Sequence, residues 1–371
     1  MSLDELRKQI DATDAELVRL VNERARLAVE IGKLKRSGAG PVYVPSRERA
    51  VYERVLGRNA GPLSDASLQA IWREIMSASL ALEEGARVSY LGPPGTFTHK
   101  AAISKFGRSV EYRSAATVRD VFLEVARGHA DHGIVPIENS TEGGVNQTID
   151  CFMETSLKVC SEIYVSVHHH LLAKSRETKV KKICSHPQVF GQCREHLSVE
   201  WPEIHLVETP STAAAAEMAA REEGTAAIGS DVAAEIYGLE VLESAIEDNP
   251  DNVTRFFVLG RTPGVRTGRD KTSLMFSIRD EVGALYTMLE PFRENRLNLT
   301  RIESRPSKRR AWDYVFFVDL EGHSLDEPVR TALDALASRC KMFEILGSYP
   351  AASREPTPEA RAVLGEDEGD A

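Results

Sequence analysis

The chain has 371 residues, 42% hydrophobic and 27% charged, with a formal net charge of -10 and five cysteines. That length exceeds what one core usually serves, so two or three domains are expected in an ordinary globular protein. The acidic balance argues against nucleic acid as main partner. No apolar run approaches the ~20 residues of a membrane span, charge from residue 4 speaks against a signal peptide, and an odd cysteine count without CxxC spacing fits reduced thiols in the cytoplasm.

Residues 3–34 carry a helical pattern, with Leu3, Leu6, Ile10, Leu17, Leu20, Leu27, Ile31 and Leu34 at 3-4 spacing and Thr13 and Arg24 filling the gaps. The helix is roughly 50 Å long and ends at the Gly/Pro-rich segment 37–41. Shorter helices are expected over 46–56 and 64–83. Two short partners cannot cover the whole apolar seam, so a homo-oligomer with paired long helices is expected. Arg24 is a cation on an apolar seam, and Lys35 lies only ~20° around the helix from it. Arg7 points elsewhere, toward a site shared with a partner chain. Arg47 and Glu48 open the second helix, and Trp72, Met76, Ser79 and Glu83 form a stripe on the third. These residues read either as a cationic pocket for a small dianion or as a salt-bridged coiled coil.

The texture changes at Arg87. Strand, loop and helix alternate, with strands expected at 88–91, 133–137, 182–185 and 226–229. Ligands in such folds sit where loops leave the carboxyl ends of strands. The polar clusters Gly92–Thr98, Pro136–Gly144, Ser185–Gln188, Ser211–Thr212 and Asp251–Val258 fall mostly there. Each has a plain structural alternative; Ser211, for instance, suits a helix N-cap. His168-His169-His170 reads as part of a strand with a hydrogen-bonded core histidine, so no metal is expected. From Lys271 the order strand-helix-strand-strand-helix-strand is ferredoxin-like. The tail from Ala351 has a disordered composition.

Residues 1–84, through ELRKQIDATDAELVRLVNERARLAVEIGKLK, SRERAVYERV and REIMSASLALE, resemble the all-helical chorismate mutases. The resemblance implies an intertwined dimeric three-helix domain over 1–85 that rearranges chorismate to prephenate without cofactor or metal. It places substrate-binding arginines at Arg7, Arg24 and Arg47, the ether-contacting lysine at Lys35, an acidic residue at Glu48 and a serine at Ser79. Val44 stands where an aspartate is often found, and Glu83 where a glutamine is. Catalysis by holding the reactive conformer and donating to the ether oxygen follows. Glu83 can donate only in its protonated form.

GPPGTFTHKAA, VPIENS, SHPQ, STAAAA, IGS and NVTRFFVLG resemble, in this order, the prephenate dehydratases. An α/β domain over 86–265 is implied, with two subdomains like a periplasmic binding protein and the active site in the cleft. There prephenate loses carbon dioxide and hydroxide to give phenylpyruvate. Thr254 is implied as the key hydroxyl, with Glu138 or a water relay as its acid partner. Arg255 either orients a carboxylate or forms a structural ion pair. Thr96, Phe97, Asn139, Ser140, His186, Ser211, Thr212 and Phe256 are the expected substrate contacts, and His169 alone of its triplet matches a family histidine.

Residues 270–350 resemble an ACT domain. Phenylalanine is the implied effector, held between Gly283-Ala284-Leu285 and the segment Asn298, Leu299, Glu303, Ser304 and Arg305, with Glu303 facing its ammonium and the helix N-terminus its carboxylate. The competing readings are a dehydratase, of prephenate or arogenate, whose helical domain only dimerises, and a metabolite sensor without turnover.

Overall fold

The computed structural model describes residues 1–34, 45–84, 86–278, 281–306 and 314–352. Three helices lead: α1 (Leu3–Leu34), α2 (Pro45–Leu56) and α3 (Asp65–Glu84). The heptad-like spacing yields one unbroken α1, and α3 crosses it at Gly32, where an added Cβ would stand 3.1 Å from Glu83. Only Ala28 and Gly32 of α1 are buried. Leu6, Ile10, Leu17, Leu20, Leu27 and Ile31 all lie exposed in the single chain.

A first α/β subdomain follows, with β1 (Arg87–Leu91), α4 (Phe97–Phe106), β2 (Glu111–Ala115), α5 (Val118–Ala126), β3 (His132–Asn139), β4 (Gly143–Gly144), α6 (Asn146–Phe152) and β5 (Lys158–Ser166). The second subdomain holds β6 (His170–Ala173), β7 (Lys182–Ser185), α7 (Pro187–Gln192), α8 (Arg194–Glu200), β8 (His205–Glu208), α9 (Thr212–Arg221), β9 (Thr225–Gly229), α10 (Asp231–Tyr237) and β10 (Glu240–Glu243). The chain then returns to the first sheet as β11 (Val253–Gly260), antiparallel between β3 and β5. The sheets run β2-β1-β3-β11-β5 and β10-β6-β9-β7-β8. Two crossings between two α/β layers, with a cleft between them, make the periplasmic-binding-protein arrangement.

The histidine triplet does not continue a strand, as its alternation suggested. β5 stops at Ser166 and β6 begins at His170, because the second crossing takes over the backbone. Glu247 accepts the His169 N–H and meets the His168 ring, both at 2.7 Å. Val167 donates to the Asn252 carbonyl. The crossings are thus clamped to each other beside the cleft.

The last domain is β12 (Asp270–Ser277), α11 (Ala284–Glu294), β13 (Leu299–Pro306), β14 (Tyr314–Glu321), α12 (Glu327–Arg339) and β15 (Met342–Pro350). Its antiparallel order β13-β14-β12-β15 is ferredoxin-like. One sheet face packs Leu274, Phe276 and Val318 under the two helices. The other face has no core of its own. Met275, Phe317, Leu346 and Tyr349 join Ile137, Phe152, Val159 and Phe257 of the first subdomain in one common core. Gly347 passes so close to the Val159 backbone that no Cβ fits. Order also extends past Tyr349 into the segment expected to be disordered, since Ala351 and Ala352 donate to the Arg269 carbonyl and the Glu162 carboxylate, each at 2.9 Å. Residues 353–371 lie outside the described residues.

Candidate active sites

The helical domain holds a cavity of about 390 Å³. Helical spacing brings Arg24 of α1, Arg47 and Glu48 of α2, and Ser79 and Glu83 of α3 to its wall. Arg24 donates to Ser79 Oγ at 2.6 Å, and Ser79 passes its own proton to the Ile75 carbonyl at 2.8 Å. Burial lowers the pKa of Arg24, and the nearby Glu83 charge opposes that shift. Lys35 and Val44 lie outside the described residues. Arg7 is exposed, 3.7 Å from Asp4, and stands seventeen residues before Arg24, roughly 25 Å along the axis. It therefore cannot reach the cavity of its own chain. Arg73 also lines the wall, a cation that the one-faced reading of α3 missed.

The second site is the cleft between the α/β subdomains, about 290 Å³. Phe97, Asn139, His186, Ser211, Thr212 and Thr254 meet there as expected. So do His169, Gln188, Gln192 and Asn252, which were not singled out as contacts. Gln188 and Asn252 sat inside quoted motifs, whereas Gln192 is one helical turn past SHPQ and carried no signal.

Thr254 lies at the start of β11 opposite Asn139 of β3. Asn139 is held by the Thr141 and Glu142 N–H groups at its oxygen. Its amide donates to Asn252 at 2.8 Å and to the Thr254 hydroxyl oxygen at 2.9 Å. With an acceptor lone pair of Thr254 filled in this way, its proton is free to point into the cleft. The first turns of α4 and α9 also face the cleft through Phe97 and Thr212, and free N–H groups at such ends favour anions. The described lining carries no aspartate or glutamate, which suits a substrate bearing two carboxylates. His169 Nε2–H donates to Gln192 Oε1 at 2.8 Å, and the ring packs edge-on to Phe97. Burial lowers its pKa, so the ring is neutral near pH 7.

Several expected site residues are elsewhere. Arg255 alternates away from Thr254 and faces the C-terminal domain, fully buried. Its guanidinium contacts Glu162 at 2.8 Å, Asp319 at 2.5 Å and the Tyr349 hydroxyl at 3.1 Å. Burial alone would lower its pKa, but the charges of Asp319, Tyr349 and Glu162 raise it. It is a structural ion pair, not a substrate contact. Glu138 pairs with Arg255 in the β3–β11 ladder and turns the same way, its carboxylate 3.6 Å from Arg255 and 3.8 Å from Arg301. It is not the acid partner of Thr254. Phe256 is 1% exposed, in the core under β1 and α4. Thr96 caps α4, accepting from His99 N–H and donating to the Leu91 carbonyl. Ser140 latches the second crossing through the Val253 N–H at 3.0 Å.

In the C-terminal domain, Gly283 (φ +80°) begins α11, with no side-chain cap on its free N–H groups. Val282, Leu285 and Ile302 are exposed, as are Asn298 and Ser304. Ala284 is buried and Leu299 half-buried. Strand alternation sends Arg301, Glu303 and Arg305 to the opposite face. Glu303 pairs with Arg301 against Gly144, and Arg305 reaches Asp150 at 3.3 Å. Glu303 and Arg305 thus bind the first subdomain, and the carboxylate expected to meet an ammonium is already paired.

No helix among the described residues is long and apolar enough to cross a membrane. Sequence profiles match chorismate mutase type II over residues 6–84, prephenate dehydratase over 88–264 and the ACT domain over 272–338. A bifunctional chorismate mutase/prephenate dehydratase from Aquifex aeolicus is 47% identical over 355 residues, covering 94% of this chain and 98% of that one. Its namesake from Pseudomonas aeruginosa is 42% identical over 357 residues, 94% and 98% of the two chains. Among solved structures, prephenate dehydratase from Arthrobacter aurescens in complex with L-Phe superposes with a TM-score of 0.68 at 33% identity, covering 75% of this chain and 97% of that one.

Proposed function

The chain belongs to the family of bifunctional chorismate mutase/prephenate dehydratases, and from that premise we propose a role for each site. The helical cavity takes chorismate. Arg24 and Arg47 hold its carboxylates, Glu48 and Ser79 orient it, and the pericyclic step proceeds by conformer selection and donation to the ether oxygen. Arg7 comes from a second copy, because α1 exposes its apolar seam and keeps Arg7 far from its own cavity. This homodimer supplies the completed site.

The cleft takes prephenate. Thr254 donates to the departing hydroxyl as the ring carboxylate leaves as carbon dioxide, giving phenylpyruvate and water. The C–C bonding pair enters the ring, the C–O pair leaves with oxygen, and solvent returns the proton to Thr254. A threonine is a weak acid, so its placement rather than its acidity carries the effect, with aromatisation as driving force. The observation that supports this reading best is the Asn139–Thr254 hydrogen bond in a cleft whose described lining carries no carboxylate. Phenylalanine is the effector. It docks at the uncapped start of α11 beside Ile302 and Ser304 and is coupled to the cleft as a linked equilibrium.

The test gives purified protein chorismate alone and follows chorismate loss and phenylpyruvate appearance, with and without phenylalanine. Both signals changing, the second suppressed by phenylalanine, supports the three-part reading. Chorismate persisting while added prephenate is consumed reduces the helical domain to a dimeriser.

A further inference from the structure

The helical cavity is not walled by helical-domain residues alone. Lys105 and Phe106, the last two residues of α4 in the dehydratase domain, also line it. Lys105 Nζ stands 2.8 Å from Glu48 Oε2, with side-chain exposures of 20% and 12%. The approach is built into the backbone. Arg108 and Ser109 donate their N–H groups to Glu74 and Ser77 of α3, both at 3.0 Å. Between them and the helix, Gly107 has φ +70°, and a Cβ there would lie 2.5 Å from Ser77 Cβ. Any other residue would push the domains apart and draw Lys105 from the cavity.

We propose that the mutase site of this chain is a two-domain site, in which Lys105 of the dehydratase domain is a positioning residue that holds Glu48 and offsets its charge for a dianionic substrate. The inference rests on the mutase reading of the cavity. Its chemistry is that of a carboxylate facing an incoming dicarboxylate. A partly buried like charge opposes binding, and an adjacent ammonium removes the opposition and fixes the carboxylate rotamer. Binding is therefore affected more than the rearrangement that follows it. Nothing about the prephenate cleft depends on Lys105, because the cleft is met by the other end of α4, at Phe97, roughly 12 Å away along the axis.

The experiment compares K105Q, K105R, E48Q and K105Q/E48Q with the wild-type full-length chain. Initial rates are taken against chorismate and, on the same samples, against prephenate. K105Q is expected to raise KM for chorismate about tenfold with kcat changed less than about threefold, while prephenate kinetics stay at wild-type values and report an intact fold. K105R is expected to restore most of the loss, and adding E48Q to K105Q is expected to cost less than the product of the two single effects. An unchanged chorismate KM in K105Q, or K105R failing as badly as K105Q, overturns the role of Lys105. A wild-type chain that leaves chorismate intact while consuming prephenate overturns the mutase reading itself, and the proposal with it.

Discussion

Replacing Arg255 by methionine separates its structural role from a substrate role. The guanidinium faces two carboxylates, Glu162 and Asp319, whose side chains are wholly buried. Glu162 keeps Lys271 at 2.9 Å, so its charge remains partly matched. Asp319 keeps only neutral donors among the described contacts, chiefly Ser273. Removing one partner of such a buried pair costs about 3–5 kcal/mol. With a urea m-value of about 3 kcal/mol/M, the unfolding midpoint of the joined dehydratase and ACT body falls by roughly 1–1.7 M. Neutralising the stranded charge restores part of it, so R255M/D319N is less destabilised than the sum of its single variants. Urea melts followed by far-UV circular dichroism measure this, beside prephenate KM at 20 °C. The reasoning fails if R255M melts at the wild-type midpoint while its KM for prephenate rises tenfold, since that is the behaviour of a substrate-orienting arginine.

T254V removes the proposed donor without disturbing the core, and prephenate kcat should fall about 10²–10³-fold while chorismate consumption persists; equal loss of both would point to misfolding. His99 stacks on Tyr90 at 4.4 Å and accepts the Gly95 N–H, and burial, aided by Arg108, pushes its pKa down to about 4. Because the folded value lies below the unfolded ~6.5, its contribution is whole above pH 6.5 and is lost as pH falls toward 4, about 3 kcal/mol in all. Urea midpoints at pH 7.5, 6 and 5 should decline less steeply in H99N than in the wild type. Leu17→Asp, on the exposed seam of α1, should dissociate the proposed homodimer in sedimentation and abolish mutase turnover, with the dehydratase retained; an unchanged sedimentation coefficient would refute the seam's role.

The elements most legible in the sequence were those whose periodicity is enforced by one local rule. α1, α3 and the ferredoxin-like domain fall within a few residues of where spacing and breakers place them. Motif order identified which loops meet at the cleft, because βα loops of one sheet must share an edge. Direction across a strand was less legible. Thr254, Arg255 and Phe256 are consecutive letters of one motif, but they face a cleft, a domain interface and a core. Period-2 alternation sends Arg255 to the face opposite Thr254 and Phe256, but that face reads as buried only once its cover is known, and the cover came from β12, β14 and β15, far away in sequence. The same blindness hid Glu303, whose strand edge meets another domain, and Lys105, whose partner lies 57 positions earlier. The histidine triplet misled because alternation was read through a crossing whose hydrogen bonds go to Glu247 and Asn252 instead of a sheet neighbour.

The common core of Phe257, Val159, Phe317 and Tyr349 makes the two seams of this chain unequal. At the front seam, the helical unit is joined to its neighbour by polar contacts, one glycine and the packing of Leu80 on the first subdomain's core, without a shared core of the rear seam's size. A recombination event there would exchange it for another helical unit and leave the remainder folded. At the rear seam, the shared core closes the boundary that the sequence displays. Deleting everything after the loop at 261–269 would strip one face from β11 and β5 and strand Arg255 with half its partners. A lineage could thus shed or replace its front module by a single cut. Its sensor could be lost only along with the fold that the sensor informs, and desensitised descendants are expected to carry point changes on the exposed face around Gly283 and Ile302, where phenylalanine is proposed to dock.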